Sequence, residues 1–185
     1  LIIEQAYVHL PMKRALHAIS PAQQLRLLQQ DTHVSERAFH SRMLGIFAQL
    51  RDIHTAYTLP QPFSSHVAFV PFLAETYFTA PRTERRFLVS RVLGGFEHPH
   101  FKPGVELLTW NQMTLEDAVW HNAARENGSN PDASFAEGMQ FLCVRWLGAS
   151  LPPEARQVVV AYREKRGPIR EIRFPWSVLE LDQQL

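Results

Sequence analysis

The chain has 185 residues, enough for one large domain or two small ones with a sizeable core. Hydrophobic residues make up 45% and charged residues 20%, a globular composition rather than a disordered one. Nineteen basic residues against 18 acidic ones give a formal charge of +1 without any run of like charge, which excludes nucleic acid or an anionic membrane as the main partner.

No apolar stretch approaches the ~20 residues of a membrane helix. The single cysteine, Cys143, leaves no internal disulfide and no cysteine-built zinc site. The sequence starts at Leu1 rather than at a methionine, so the natural N-terminus is expected upstream.

In chain order, the first signals are helical. Ser20 stands as an N-cap with Pro21 at the first helical position, and Gln23 completes a capping-box pattern. A second helix follows Ser35. Its residues Phe39, Met43, Ile46, Phe47 and Leu50 share one face, with Glu36, Arg37, His40 and Gln49 on the wet face. This helical segment is expected to close near Arg51, and the boundary of the first unit is set at residue 60.

Beyond Pro60 the apolar period shortens to two. The runs HVAFVPFLAETYF and RRFLVSRV predict strands around a turn at TAPRTE, with Pro71 marking a break or an edge. FKPGVELLTWNQM reads as turn, strand, turn. Thr114 is an N-cap with Asp117 as its acidic partner, for a helix running to about Asn127 with Gly128 just past it. A further helix is predicted from about Asp132 to Leu147, with Phe135, Met139, Leu142, Cys143 and Trp146 on one stripe. QVVVAYR and IREIRF flank EKRGP and predict a closing hairpin.

The order strand, loop, proline–glycine turn, strand, asparagine turn, helix in FLVSRVLGGFEHPHFKPGVELLTWNQMTLEDAV resembles a PDZ-like domain of the bacterial type. Preceded by LRDIHTAYTLP, the combination resembles the S41 family of tail-specific and tricorn-like serine peptidases, over most of Leu50 to Trp176. The resemblance implies an α+β fold: a small helical segment (1–60), then a PDZ-like β-rich domain (61–178) with an inserted helical stretch at about 128–156. It also implies an extracytoplasmic location and a catalytic α/β domain beyond Leu185. Two features depart from the family pattern. SSHVAFVPF stands where a glycine-rich carboxylate loop is usual, and none of the ten serines sits in a G-x-S-x-G turn.

In the tricorn-like branch, a histidine in an Asp-x-His-Thr-like segment is the general base for a serine in the later domain. The matching residue is His54, within Asp52-Ile53-His54-Thr55. In the serine–lysine branch His54 has no catalytic duty, and it could equally pack or cap a helix-to-strand corner. Asp52 is expected to be a cap or an ion-pair partner. His98 and His100 in EHPHF have metal-compatible spacing, but candidates for a third ligand, such as Glu97 and His121, are only scattered, so no metal is expected, and no cofactor.

The same resemblance implies that the partners are peptide or protein C-terminal tails, added as a strand between a β-edge and a helix. Phe69, Val70 and Phe72 are expected on the strand side, with Ala118, Val119 and Asn122 on the helix side. The chain is therefore expected to be the non-catalytic front part of an S41-like peptidase, inactive alone. A stand-alone PDZ-like binding module, with no peptidase attached, is the alternative. The oligomeric state is left open.

Overall fold

The computed structural model describes residues 1–81 and 84–181. Four helices open the chain: α1 (Ile2–Ala6), α2 (Leu10–His17), α3 (Pro21–Gln30) and α4 (Glu36–Ala48). Ile3, Ala22 and Leu50 form a small core there, with Tyr7, Ile19, Leu25 and Phe47 packed against it. Ser35 caps α4 by accepting from the Ala38 N–H at 3.3 Å. Ser20 occupies the N-cap of α3, but its side chain makes no capping bond, so the expected capping box does not form.

His40 is corrected: it lies buried beneath α4 and not on the wet face. Its Nδ1 meets the Tyr57 hydroxyl at 2.9 Å, and the two rings stack with centroids 5.9 Å apart. An imidazole can leave water when a hydrogen bond and an aromatic face replace its hydration.

Two antiparallel sheets follow. One has three strands in the order β6-β1-β9, built from β1 (His66–Phe69), β6 (Val144–Trp146) and β9 (Ser177–Glu180). The other runs β2-β3-β4-β7-β8, from β2 (Phe72–Phe78), β3 (Arg85–Val92), β4 (Glu106–Trp110), β7 (Gln157–Arg163) and β8 (Ile169–Pro175), with β5 (Met113–Thr114) paired to β4. The break at Pro71 passes the chain from one sheet to the other, since proline has no N–H to continue a ladder. The closing hairpin pairs Gln157 with Pro175 through Arg163 with Ile169.

Helices α5 (Leu115–Ala123) and α6 (Pro131–Cys143) pack on the larger sheet and on each other. Thr114 caps α5, accepting from the Asp117 N–H at 3.1 Å while its hydroxyl donates to the Asp117 carboxylate at 2.6 Å. The helical span of α5 ends at Ala123, ahead of the expected Asn127. The main core is aromatic at its centre: Phe72 lies 5.0 Å from both Phe101 and Phe174, and Tyr162 stands on Phe101 at 4.9 Å. The chain is thus a mixed α+β fold with two antiparallel sheets.

Candidate functional site

The loop carrying His54 is built from the end of α4. Leu50 is wholly buried and anchors the turn, and Arg51 takes a left-handed conformation at φ 49°. Asp52 then closes the loop on itself and on the first helices. One of its oxygens accepts from the His54 backbone N–H at 3.0 Å. The other accepts from the Tyr7 hydroxyl at 2.7 Å and the Thr55 hydroxyl at 3.3 Å.

The Tyr7 hydrogen bond holds the Asp52 carboxyl below its ordinary range. Burial, and then the Asp52 carboxylate, push the Tyr7 hydroxyl up to about 12, so it stays a donor. Asp52 is the cap anticipated from its position. His54 is different in kind: its side chain is 91% exposed, and its Nδ1 stands 3.6 Å from an Asp52 oxygen. That separation is beyond hydrogen-bond range but within reach of a small rotation. Tyr7, Asp52 and the His54 backbone therefore form a short polar chain that fixes the loop, while the His54 imidazole stands open to solvent without a hydrogen bond to the carboxylate.

Within the described residues no serine is set up as a nucleophile beside a histidine. Ser65 Oγ lies 3.1 Å from His66 Nδ1, but both face the Pro62 carbonyl, at 3.0 and 2.6 Å. Each can donate its hydrogen to that oxygen, and Ser65 is buried. Cys143 is buried as well, and desolvation pushes its thiol up to about 12, far from the thiolate that a nucleophile needs.

The second feature is a groove. Strand β2 is the edge of the larger sheet, and α6 runs beside it. Between them lies a cavity of ≈ 550 Å³ lined by Leu73, Ala74, Glu75 and Thr76 on the strand side. Asp132, Phe135, Ala136, Met139, Gln140 and Cys143 line the other side, one continuous face of α6 at helical spacing. Arg85 closes one end, its guanidinium 3.9 Å over the Phe135 ring and 3.1 Å from Glu116.

None of the six residues expected to line a peptide groove opens on this one. Val70 and Phe72 are fully buried core residues, because the side chains at these positions point into the aromatic cluster. Phe69 sits on β1, the central strand of the small sheet, where β6 and β9 already occupy both edges. Val119 and Asn122 lie in the buried seam between α5 and α6, where Asn122 donates to the Gly138 carbonyl at 2.8 Å, and buried Ala118 and Asn122 line a separate, smaller cavity.

The correction has one cause. Both α5 and α6 carry an apolar stripe, and the stripe alone does not say which of them lies along the sheet edge. The signal for α6 was present in Phe135, Met139 and Cys143. The strand-side residues Leu73–Thr76 had no signal beyond belonging to a predicted strand.

The two histidines of the 98–100 loop do structural work. His98 Nδ1 accepts from the backbone N–H groups of His100 and Phe101, and His100 Nδ1 lies 3.2 Å from Glu164. Among the described residues, no three His, Cys, Asp or Glu side chains come together as a metal-binding group.

No family model and no curated protein matches this chain. Among solved structures its fold is similar to that of CPAF, a chlamydial serine protease. Mature CPAF aligns at a TM-score of 0.67 and 19% identity over 92% of this chain and 31% of CPAF. Mature CPAF complexed with lactacystin gives 0.66 and 18% over 91% of this chain and 31% of that one. A serine-to-alanine mutant of CPAF gives 0.68 and 17% over 91% and 30%. At these identities the likeness is one of fold, and the chain spans about a third of the length of these neighbours. No helix among the described residues is long and apolar enough to cross a membrane.

Proposed function

We propose that this chain is the non-catalytic front part of an S41-like serine peptidase, with a helical segment over residues 1–60 and a PDZ-like module over 61–178, into which about 128–156 is inserted. In this reading the module positions the tail of a peptide substrate, and His54 is offered as general base to a serine carried by another domain. The observation that carries the proposal is the fold similarity, across nine-tenths of the chain, to one part of a serine protease. The loop fixed by Tyr7 and Asp52 supports the role of His54, because it presents an exposed imidazole 3.6 Å from a carboxylate that can orient it after a small rotation.

The tail would dock along β2. Leu73–Thr76 present an edge about 13 Å long at ~3.3 Å per residue, enough for four residues of an added strand. Main-chain hydrogen bonds would supply affinity, and the apolar face of α6 would take alternate side chains. Phe135 and Met139 are the natural floor for those side chains, with Arg85 marking the far end.

A 1H–15N titration with an apolar hexapeptide tests this placement. The amides of Leu73–Thr76 and Ala136–Gln140 should shift, with micromolar or weaker affinity, no more favourable than about −8 kcal/mol. N-methylation of alternate peptide residues should abolish binding in one register and spare it in the other, because only every second residue of an added strand bonds to the edge. Shifts confined to α5, or equal binding by both N-methylated series, would overturn the strand-addition mode.

A further inference from the structure

Arg145 is placed where an arginine needs a partner, and the described residues give it none. It lies on β6, exposes only 8% of its surface, and its Nε is buried without a hydrogen-bond partner. Among the described residues no carboxylate oxygen comes within 4.0 Å of it. A buried guanidinium left in this state forfeits its hydration for nothing, which proteins rarely tolerate.

The neighbouring charges do not neutralise it. Glu154 is engaged by Arg125 at 3.2 Å and is largely exposed. The Glu126 carboxyl is pushed up to about 7, by burial and then by Glu137, so at neutral pH it carries only part of its charge. Desolvation first, and then the Arg125 cation, weaken the hold of Arg145 on its own proton. Trp176 covers the guanidinium with its ring at 5.3 Å, a contact that leaves the buried Nε–H without an acceptor.

Beside Arg145 is a cavity of ≈ 130 Å³, separate from the β2 groove and lined by Arg145, Arg125, His121, Glu154, Trp110 and Trp176 among others. Its volume is well above the ~10–15 Å³ that a single water needs. Arg125 at its wall is paired with Glu154, which also lines the cavity, so Arg145 is the cation there without a carboxylate partner among the described residues, and two indole rings add apolar surface.

We propose that this cavity is a binding site for a single carboxylate, taken by the forked N–H donors of Arg145. A planar carboxylate matches the arginine fork in two parallel hydrogen bonds, and the apolar walls accept the carbon chain behind it. The carboxylate can come from a small free acid or from the C-terminus of a peptide. The site is separate from the β2 groove, and its occupancy does not depend on the peptidase reading.

The test compares the wild type with Arg145→Met in sodium acetate and in sodium chloride of equal ionic strength. The methionine variant should fold and be at least as stable as the wild type in chloride, because an apolar side chain replaces an uncompensated buried charge. Acetate at ~10 times its dissociation constant should raise the wild-type Tm by ~3–6 °C over chloride and leave Arg145→Met unmoved. The Arg145 Nε–H resonance should shift along the same isotherm.

N-acetyl-Ala-Ala with a free C-terminus identifies the source. Affinity at least ~10-fold above acetate assigns the site to a peptide terminus, and equal affinity assigns it to a small acid. An equal acetate response in wild type and variant, or binding by the peptide amide as strong as by the free acid, would overturn the proposal.

Discussion

At the scale of single residues, a few buried polar groups decide most of what can be tested. Glu126 is the clearest. Its carboxyl stands at about 7 in the fold against an ordinary 4.5, through burial and then Glu137. The folded protein therefore holds a proton that the unfolded chain has released. This contribution to stability is fully present below about pH 4.5 and is lost as the pH rises through about 7. Its size is of order 2–3 kcal/mol, given the partial exposure of the group. Glu126→Gln should therefore flatten the denaturation midpoint between these pH values and raise it at pH 8, as read by urea melts. A variant that falls in parallel with the wild type across the window would show that another group titrates.

Some of these residue roles were legible in the sequence. Asp52 was expected to cap, since an aspartate two residues before an N–H at a helix-to-loop corner readily forms an Asx turn. The burial of His40 was not. It follows from Tyr57, seventeen positions away, swinging onto the helix, and no local pattern encodes that approach.

At the scale of elements, the seam between α5 and α6 is the tightest joint outside the sheets. A Cβ built at Gly138 would meet the Val119 carbonyl at 2.5 Å and the Ala123 Cβ at 2.8 Å, both on the neighbouring helix. Gly138→Ala should therefore cost about 1–3 kcal/mol through overpacking, despite alanine's better helix propensity. A thermal melt is the readout; a stabilised variant would mean that the helices part easily.

The same seam explains what was and was not readable. Helices α3, α4, α5 and α6 and strands β2, β3, β4, β7 and β8 carry periods that local chemistry sets, as do the caps of α4 and α5, and these were anticipated. The predicted helix to Leu147 stops at Cys143 instead, because Val144–Trp146 pair with Val67–Phe69 as β6. An apolar stripe reads alike in a buried helix end and a short strand, so tertiary pairing decided the outcome. Strand β9 and helices α1 and α2 are short and owe their form to what they pack on, with no period long enough to show beforehand.

At the scale of the whole molecule, two features have to act together for the proposed function: an edge strand with a helix beside it, and an exposed histidine on a separate loop. The loop belongs to the helical end of the chain and the groove to the larger sheet. A substrate tail held in the groove and a bond presented near His54 would therefore be contacts with different parts of one chain. This fits a front portion that positions while another domain reacts. Alone it offers a possible base with no serine among the described residues placed to be activated, so the isolated chain should cleave no peptide and take no label from a serine-directed phosphonate.

The most direct measurement is the steady-state kinetics of His54→Gln in the longest protein that carries this chain, assayed on a peptide substrate, with circular dichroism confirming the fold. Glutamine keeps the volume and hydrogen bonding of the histidine but cannot carry a proton. If His54 is the general base, kcat should fall by ~10²–10⁴-fold while the far-ultraviolet spectrum and Tm stay near those of the wild type. A folded variant with near-normal kcat would contradict the account and leave His54 as the exposed corner of a loop closed by Asp52.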